Sequence, residues 1–511
     1  MPASDGVDAL VSDVARLGGV GTEGRGPLPS SEYAHPSTSR RPGNTLHFTM
    51  SSNDPTRFRR GAPRPMADDE PARNSLRVWV LAWPTIVGFG AQTLVRFADF
   101  VMVGGLGPEA LAAVGLGGQV YWLVQAVANL VPTGLAAVIA RSVGAGDFSR
   151  CDAAFRQAIL LSTVLAIATT LIGLPFTDAV IALYGVEPAV VSMGGDYMYW
   201  MLWGSLPFSL SFVFGGASRA AGDVRTPLYV GLVVNVLNIG LNWVLIYGNL
   251  GAPALGVAGA AMASTIAMFA QVVIFFWLWL AGRFVIKPYG GSFRPDRALC
   301  TRLLMIGYPA AIEQLLFHVG LLGFQRIMSL YGTAAIAAYN VGAQILSLSF
   351  IPGIGFSTAA TTLVGQFLGE GSPEAASRAG WQATTGAVVS MSLIGLLILA
   401  FARPLAMIFS DDLEVVELTI DFIWILGAVQ PLMAIEFAVG GSLRGAGDTF
   451  YPMLTVFIGL FLGRLIPAAV AGVLLGAPLQ LVWCALIGDY AMKATLLIRR
   501  FRGERWKTIE A

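Results

Sequence analysis

The sequence predicts an all-α integral membrane protein, with twelve transmembrane helices in two parallel six-helix bundles related by internal duplication. Three observations lead there. Of 511 residues, 55% are hydrophobic and only 12% charged, where a soluble chain carries about a quarter charged residues. The deficit concentrates in long apolar runs such as Val78 to Val95, eighteen residues without a charge. About twenty apolar residues coiled as a helix match a hydrocarbon slab ~30 Å thick. Finally, Gly215-Gly216-Ala-Ser-Arg219-Ala-Ala-Gly222-Asp223 returns as Gly440-Gly441-Ser-Leu-Arg444-Gly-Ala-Gly447-Asp448, an offset of 444 − 219 = 225. Pro84 and Pro309, Gly107 and Gly332, Gln119 and Gln344, Gly144 and Gly369, and Pro227 and Pro452 keep that offset.

Cutting the apolar runs at Gly, Pro and charge clusters predicts spans at 78–103, 111–141, 153–182, 196–218, 225–246, 254–281, 299–330, 335–368, 379–408, 419–443, 449–474 and 478–500. Six is even, so both halves enter the membrane from one side and their pseudo-twofold axis lies along the membrane normal. Transporters of this plan bind between the halves and rock them. Residues 75–282 and 299–498 are then the two lobes, with a linker at 283–298 and a basic tail at 499–511. Sixty glycines suit close helix packing in lipid.

Arginine and lysine accumulate in alternate connections: Arg141 and Arg150; Arg219 and Arg225; Arg283, Lys287, Arg294 and Arg297; Arg378; Arg444; and Arg499-Arg500-Phe-Arg502. The positive-inside rule makes these faces, and both termini, cytoplasmic in a multi-pass protein of the cell membrane. Arg403, beside four acids at Asp411, Asp412, Glu414 and Glu417, is the exception. Residues 1–74 are rich in Ser, Pro, Gly, Arg and Asp and read as a disordered cytoplasmic tail. They contain no signal-peptide run, and their acids argue against a transit peptide. Met66, just ahead of the first helix, offers an alternative translation start, upstream of which residues 1–65 would not be made.

A net charge of +1 gives no case for nucleic acid. Three scattered cysteines, Cys151, Cys300 and Cys484, form neither a zinc module nor a disulfide framework. The repeated Arg-x-x-Gly-Asp has two readings: a helix end, glycine turn and aspartate cap, or an Arg–Asp latch. Capping chemistry alone accounts for its residues.

Several stretches together resemble the multidrug and toxic compound extrusion (MATE) family: Phe97-Ala-Asp99-Phe-Val-Met-Val-Gly-Gly-Leu-Gly-Pro-Glu, the two Arg-x-x-Gly-Asp turns, Asn235-Val-Leu-Asn238-Ile-Gly-Leu-Asn242, and Gly256-Val-Ala-Gly-Ala-Ala-Met-Ala-Ser264. The resemblance covers residues 76 to 508. It implies a V-shaped pair of bundles that exports organic, often cationic, compounds in exchange for inward H+ or Na+. No cofactor is expected, and the partners are a small organic substrate and the bilayer, with the chain acting as a monomer. One branch of the family often has Asp where this chain has Asn242, which leaves the coupling ion open.

Ionisable groups in the slab cost about 3 kcal/mol or more each, so they are functional candidates by default. Asp99 is the first choice for ion coupling, with Asn238, Asn242 and Ser264 completing a polar pocket as the resemblance suggests. Arg96, three residues from Asp99, shares its helical face and offers a structural pairing instead. Glu313 is a further coupling candidate. His318, Arg96 and Glu436 are secondary candidates for coupling or substrate contact. Asp489 and Lys493 read as a structural pair, and Arg464 requires a partner that the sequence does not name. No aromatic residue is assigned to the substrate site.

A lipid-linked oligosaccharide flippase, which shares a related architecture, is the alternative; it predicts a more cationic cavity and often extra helices, neither of which is evident. A membrane-embedded enzyme is more remote. It needs a catalytic constellation, yet of three histidines two, His35 and His47, lie in the tail. The duplicated fold disfavours a passive channel.

Overall fold

A computed structural model describes residues 71–288, 291 and 293–509. The disordered reading of residues 1–70, and the proposed start at Met66, lie outside the described residues. The helices are α1 (Pro71–Gly104), α2 (Pro108–Ala128 and Leu130–Gly144), α3 (Phe148–Ala182), α4 (Pro188–Trp203 and Ser205–Ala220), α5 (Arg225–Tyr247), α6 (Gly256–Leu280), α7 (Arg297–Met328), α8 (Thr333–Ser347 and Phe350–Gly369), α9 (Pro373–Ala400 and Ala402–Phe409), α10 (Leu413–Ala428 and Gln430–Gly445), α11 (Phe450–Leu474) and α12 (Leu479–Arg502).

Among the described residues, nine of these are long and apolar enough to cross a membrane, and eleven when bent α8 and bent α10 each count as one span. The remaining span is α4, whose two 16-residue segments reach only about 24 Å apiece at 1.5 Å per residue. All four of its ends match those of α10 at the offset of the repeat (413 − 188 = 225; 428 − 203 = 225; 430 − 205 = 225; 445 − 220 = 225). The fold is therefore two copies of one six-helix plan.

The described part of helix α1 runs from Pro71, inside the segment read as tail. Asp223 caps the α4–α5 turn, accepting from the backbone N–H groups of Arg225 at 3.1 Å and Thr226 at 3.0 Å. The latch reading fails in both turns. Arg219 lies over the Phe89 ring, Arg444 reaches Glu313, and Asp448 accepts from Arg500 of α12 at 2.7 Å.

The linker is fastened rather than loose. Phe284 and Ile286 are buried, Arg156 Nη1 donates to the Gly291 carbonyl at 2.5 Å, and Gln157 Nε2 donates to that of Arg294 at 2.9 Å. The basic tail is fastened too. Arg499 to Arg502 finish α12, and a short turn, Glu504–Thr508, folds back. There Trp506 is fully buried and stacks on Phe501 with centroids 4.7 Å apart. Its indole N–H donates to the Phe501 carbonyl at 2.7 Å. Beyond it, the Ile509 carbonyl accepts from Arg141 of α2, so the end of one lobe's chain touches the other lobe. In that turn, a hydrogen bond from Lys507 at 2.8 Å holds the Glu504 carboxyl below the usual range.

The lobes meet at the arginine-rich face through glycines. A Cβ on Gly144 would overlap the Gln366 carbonyl, and one on Gly369 would overlap that of Arg141. The two contacts are copies (369 − 144 = 225; 366 − 141 = 225), so the backbones of α2 and α8 touch twice about the pseudo-twofold. Thr362 Oγ1 and Gln366 Nε2 add hydrogen bonds of 3.0 Å each to the carbonyls of Arg219 and Ala220.

Candidate functional site

In the N-terminal lobe the polar residues converge. Asn238 and Asn242 stand one turn apart on one face of α5, as a four-residue step requires. Asn242 Nδ2 donates to Asp99 Oδ1 of α1 at 2.5 Å and lies 3.2 Å from Asn238 Oδ1. Asn238 Nδ2 donates in turn to Ser264 Oγ of α6 at 3.3 Å. Gly259 allows α6 this close, because a Cβ there would overlap the Leu245 carbonyl of α5. Asn238 and Asn242 are buried. Asn242 Oδ1 has no hydrogen-bond partner among the described residues, and an unpaired buried acceptor costs roughly 1–3 kcal/mol. The cluster thus joins one carboxylate to amide and hydroxyl oxygens, with acceptor capacity to spare. Oxygen sets of this kind suit a hard cation, and the carboxylate alone suits a proton.

Arg96 does not join it. Its guanidinium runs back along α1 to Thr93 Oγ1 at 3.2 Å, following the tilt of helical side chains toward the N-terminus. The alternative, a structural pair of Arg96 with Asp99, does not form as a direct salt bridge, and the carboxylate accepts from Asn242 instead.

The C-terminal lobe holds the other candidates in a second group. Glu313 of α7 pairs with Arg444 of α10 at 2.6 Å, and its Oε2 is buried without a hydrogen bond among the described residues. Glu436 of α10 lies 3.3 Å from Lys493 of α12, which is also 3.2 Å from Asp489. Arg464 of α11 pairs with the other oxygen of Asp489, supplying the partner that the sequence left unnamed. The pair read at Asp489 and Lys493 is therefore part of a buried network of four charges. The repeat contained a usable signal for it, since Asp489 is the counterpart of Ser264 (489 − 264 = 225).

His318 belongs to neither group. Its Nδ1 lies 2.7 Å from the Gln314 carbonyl, and its ring packs 5.6 Å from that of Trp122 in the other lobe. A five-residue step from Glu313 turns it to another face of α7.

These features coincide with known proteins. The MatE family profile matches twice, over residues 84–244 and 309–470, and the two matches start at the offset of the repeat (309 − 84 = 225). The chain belongs to the MATE family. It is a membrane transporter and not an enzyme. A probable multidrug resistance protein NorM of Thermotoga maritima is 32% identical over 432 residues, which is 84% of this chain and 92% of that one. Its counterpart in Mesorhizobium japonicum is 30% identical over 442 residues, 82% and 92% of the two chains. Among solved structures, a MOP superfamily transporter from Pyrococcus furiosus superposes with a TM-score of 0.80 at 25% identity, covering 86% of this chain and 98% of that one. A MATE structure in complex with MaD3S gives 0.79 at 25% identity, with the same coverage.

Proposed function

We propose that this transporter is a secondary antiporter of the cell membrane that exports organic, mainly cationic, compounds in exchange for inward H+ or Na+. The observation that supports it most is the closed chain of contacts from Asp99 through Asn242 and Asn238 to Ser264. It ties α1, α5 and α6 together around one carboxylate. A cation or proton there changes the local charge, and helices that repack in response bias which side of the cleft is open. Coupling needs such a differential stabilisation of two states. Both termini are cytoplasmic in this reading, so the glycine contact between α2 and α8 closes the inner end of the cleft. One chain supplies both lobes, and a monomer suffices. The relatives described above, probable multidrug resistance proteins, support the substrate class.

Expression in an efflux-deficient host, with a panel of lipophilic cations and the H+ and Na+ gradients varied separately, tests it. At least one compound should accumulate less, and collapse of one gradient should abolish the difference. Unchanged accumulation of every compound, with the protein confirmed in the membrane, would overturn the exporter reading. Cysteines introduced near Gly107, Gly185 and Gly332 should react with an impermeant thiol reagent added outside, and cysteines near Arg225 and Arg294 should not. The reverse pattern would invert the topology.

A further inference from the structure

We infer that Lys493 is a resident cation, whose ammonium fills the cation position of the C-terminal lobe and closes that lobe to exchangeable metal ions. The inference takes the N-terminal cluster as the exchangeable site, as proposed above.

The repeat sets the comparison. Asn238 and Ser264, which meet where α5 packs on α6, correspond to Gly463 and Asp489, where α11 packs on α12 (463 − 238 = 225; 489 − 264 = 225). In the first lobe that contact is a hydrogen bond between neutral groups at 3.3 Å. Next to it stand a single carboxylate, whose hydrogen bond comes from a neutral amide, and an unpartnered buried oxygen, Asn242 Oδ1.

In the second lobe glycine makes room for charge. A Cβ on Gly463 would lie 2.7 Å from Asp489 Cα, and one on Gly459 would lie 2.6 Å from both Asp489 Oδ1 and Lys493 Cγ. Into this space Lys493 brings its ammonium between Asp489 at 3.2 Å and Glu436 at 3.3 Å, 5.0 Å from the Tyr490 ring centroid. Asp489 is wholly buried and Lys493 is 2% exposed. Arg464 takes the remaining oxygen of Asp489 and covers Phe324. Phe324 itself stands at the position of Asp99 (324 − 99 = 225). Two carboxylates therefore face two fixed cations. At Asp489 and Glu436 a further metal ion would meet Lys493 and Arg464 head-on, with the charge of both carboxylates already balanced, and the neighbouring Glu313 carboxylate is balanced by Arg444. Taking away the ammonium leaves one net negative charge, two carboxylates and a void.

Binding of radioactive sodium to the purified full-length protein tests this, with choline replacing Na+ in the controls. The Asp99→Asn variant silences the N-terminal site and should lose saturable binding at least about tenfold. Adding Lys493→Ala to that background should restore a saturable site at least about tenfold above it. Lys493→Arg, which keeps the charge, should restore nothing. If Lys493→Ala does not fold, Lys493→Gln replaces it. Two results would overturn the inference: saturable binding that survives Asp99→Asn and disappears with Glu436→Gln, or a folded, monodisperse double variant that gains no site. Absence of sodium binding in the wild type alone would count against Na+ at Asp99, and the Lys493 comparison would still decide the inference.

Discussion

Where α5 meets α6, the first lobe sets Asn238 against Ser264 and leaves an amide oxygen unpaired. At the corresponding contact of α11 with α12, the second lobe sets Gly463 against Asp489 and fills the space with paired charge. The backbones differ to match. Helix α5 is regular throughout, whereas α11 widens into π-turns at Gly459–Leu465, the segment that bears Arg464. Such turns occur mostly as local bulges and frequently at functional sites. A duplicated scaffold tolerates opposite electrostatic contents when small residues at two positions decide how much volume the contact offers. One lobe keeps an unpaired buried acceptor beside a single carboxylate. Its twin holds buried charges paired with one another.

That contrast can be broken most sharply at Asp99. Asp99→Asn preserves size and hydrogen bonding but removes the charge, and it should lower gradient-driven export by at least about a hundredfold, the loss of ~2.7 kcal/mol of coupling. Its melting temperature in detergent should stay near that of the wild type. Full export with unchanged ion dependence would remove Asp99 from the mechanism. Glu313→Gln should do less, and a larger effect there would move coupling to the second lobe.

The reverse profile is expected of Asp489→Asn. It strands Arg464 and Lys493 without their shared carboxylate, and breaking a buried pair in this way costs about 3–5 kcal/mol. Thermal unfolding should register this loss, and a melting curve like that of Asp99→Asn would erase the distinction between the lobes. The interface between them offers a smaller test. Gly144→Ala and Gly369→Ala should each cost about 1–3 kcal/mol through overpacking and lower export to similar extents, because their contacts are copies. Unequal losses would show the pseudo-twofold to be broken at the closed end. Asn238→Ala removes one link of the polar chain, worth roughly 0.5–1.5 kcal/mol, and should weaken export by less than about tenfold. Least of all, deletion of residues 1–65 should leave insertion and export unchanged, as assayed at matched membrane abundance.

The fold was largely legible because lipid imposes apolar length and duplication imposes register. Both act along the chain, and the coincidence of α4 with α10 follows from the offset read at Arg219 and Arg444. The polar set at Asp99, Asn238, Asn242 and Ser264 was legible through its resemblance to a family pattern, and the helices do bring it together. Pairings across helices were not. Which face of α7 meets α10, and hence that Arg444 finds Glu313, depends on packing that no local spacing encodes. The i,i+3 step from Arg96 to Asp99 made a pair available, but a closer amide on α5 took the carboxylate. The fastening of the basic tail was not legible for the same reason, since the stacking of Trp506 on Phe501 depends on how the chain folds back after α12.

The docked C-terminal turn has a practical consequence for anyone handling this transporter. The Ile509 carbonyl accepts from Arg141 in the opposite lobe. An affinity handle or fluorescent protein appended close behind Ile509 would be tethered beside the helices that part in the proposed alternating-access cycle. A purification tag could therefore change turnover while leaving every transmembrane residue untouched. Paired preparations, one with the label at the C terminus and one with the label in the exposed loop at Gly185, would reveal how much of a measured rate belongs to the handle.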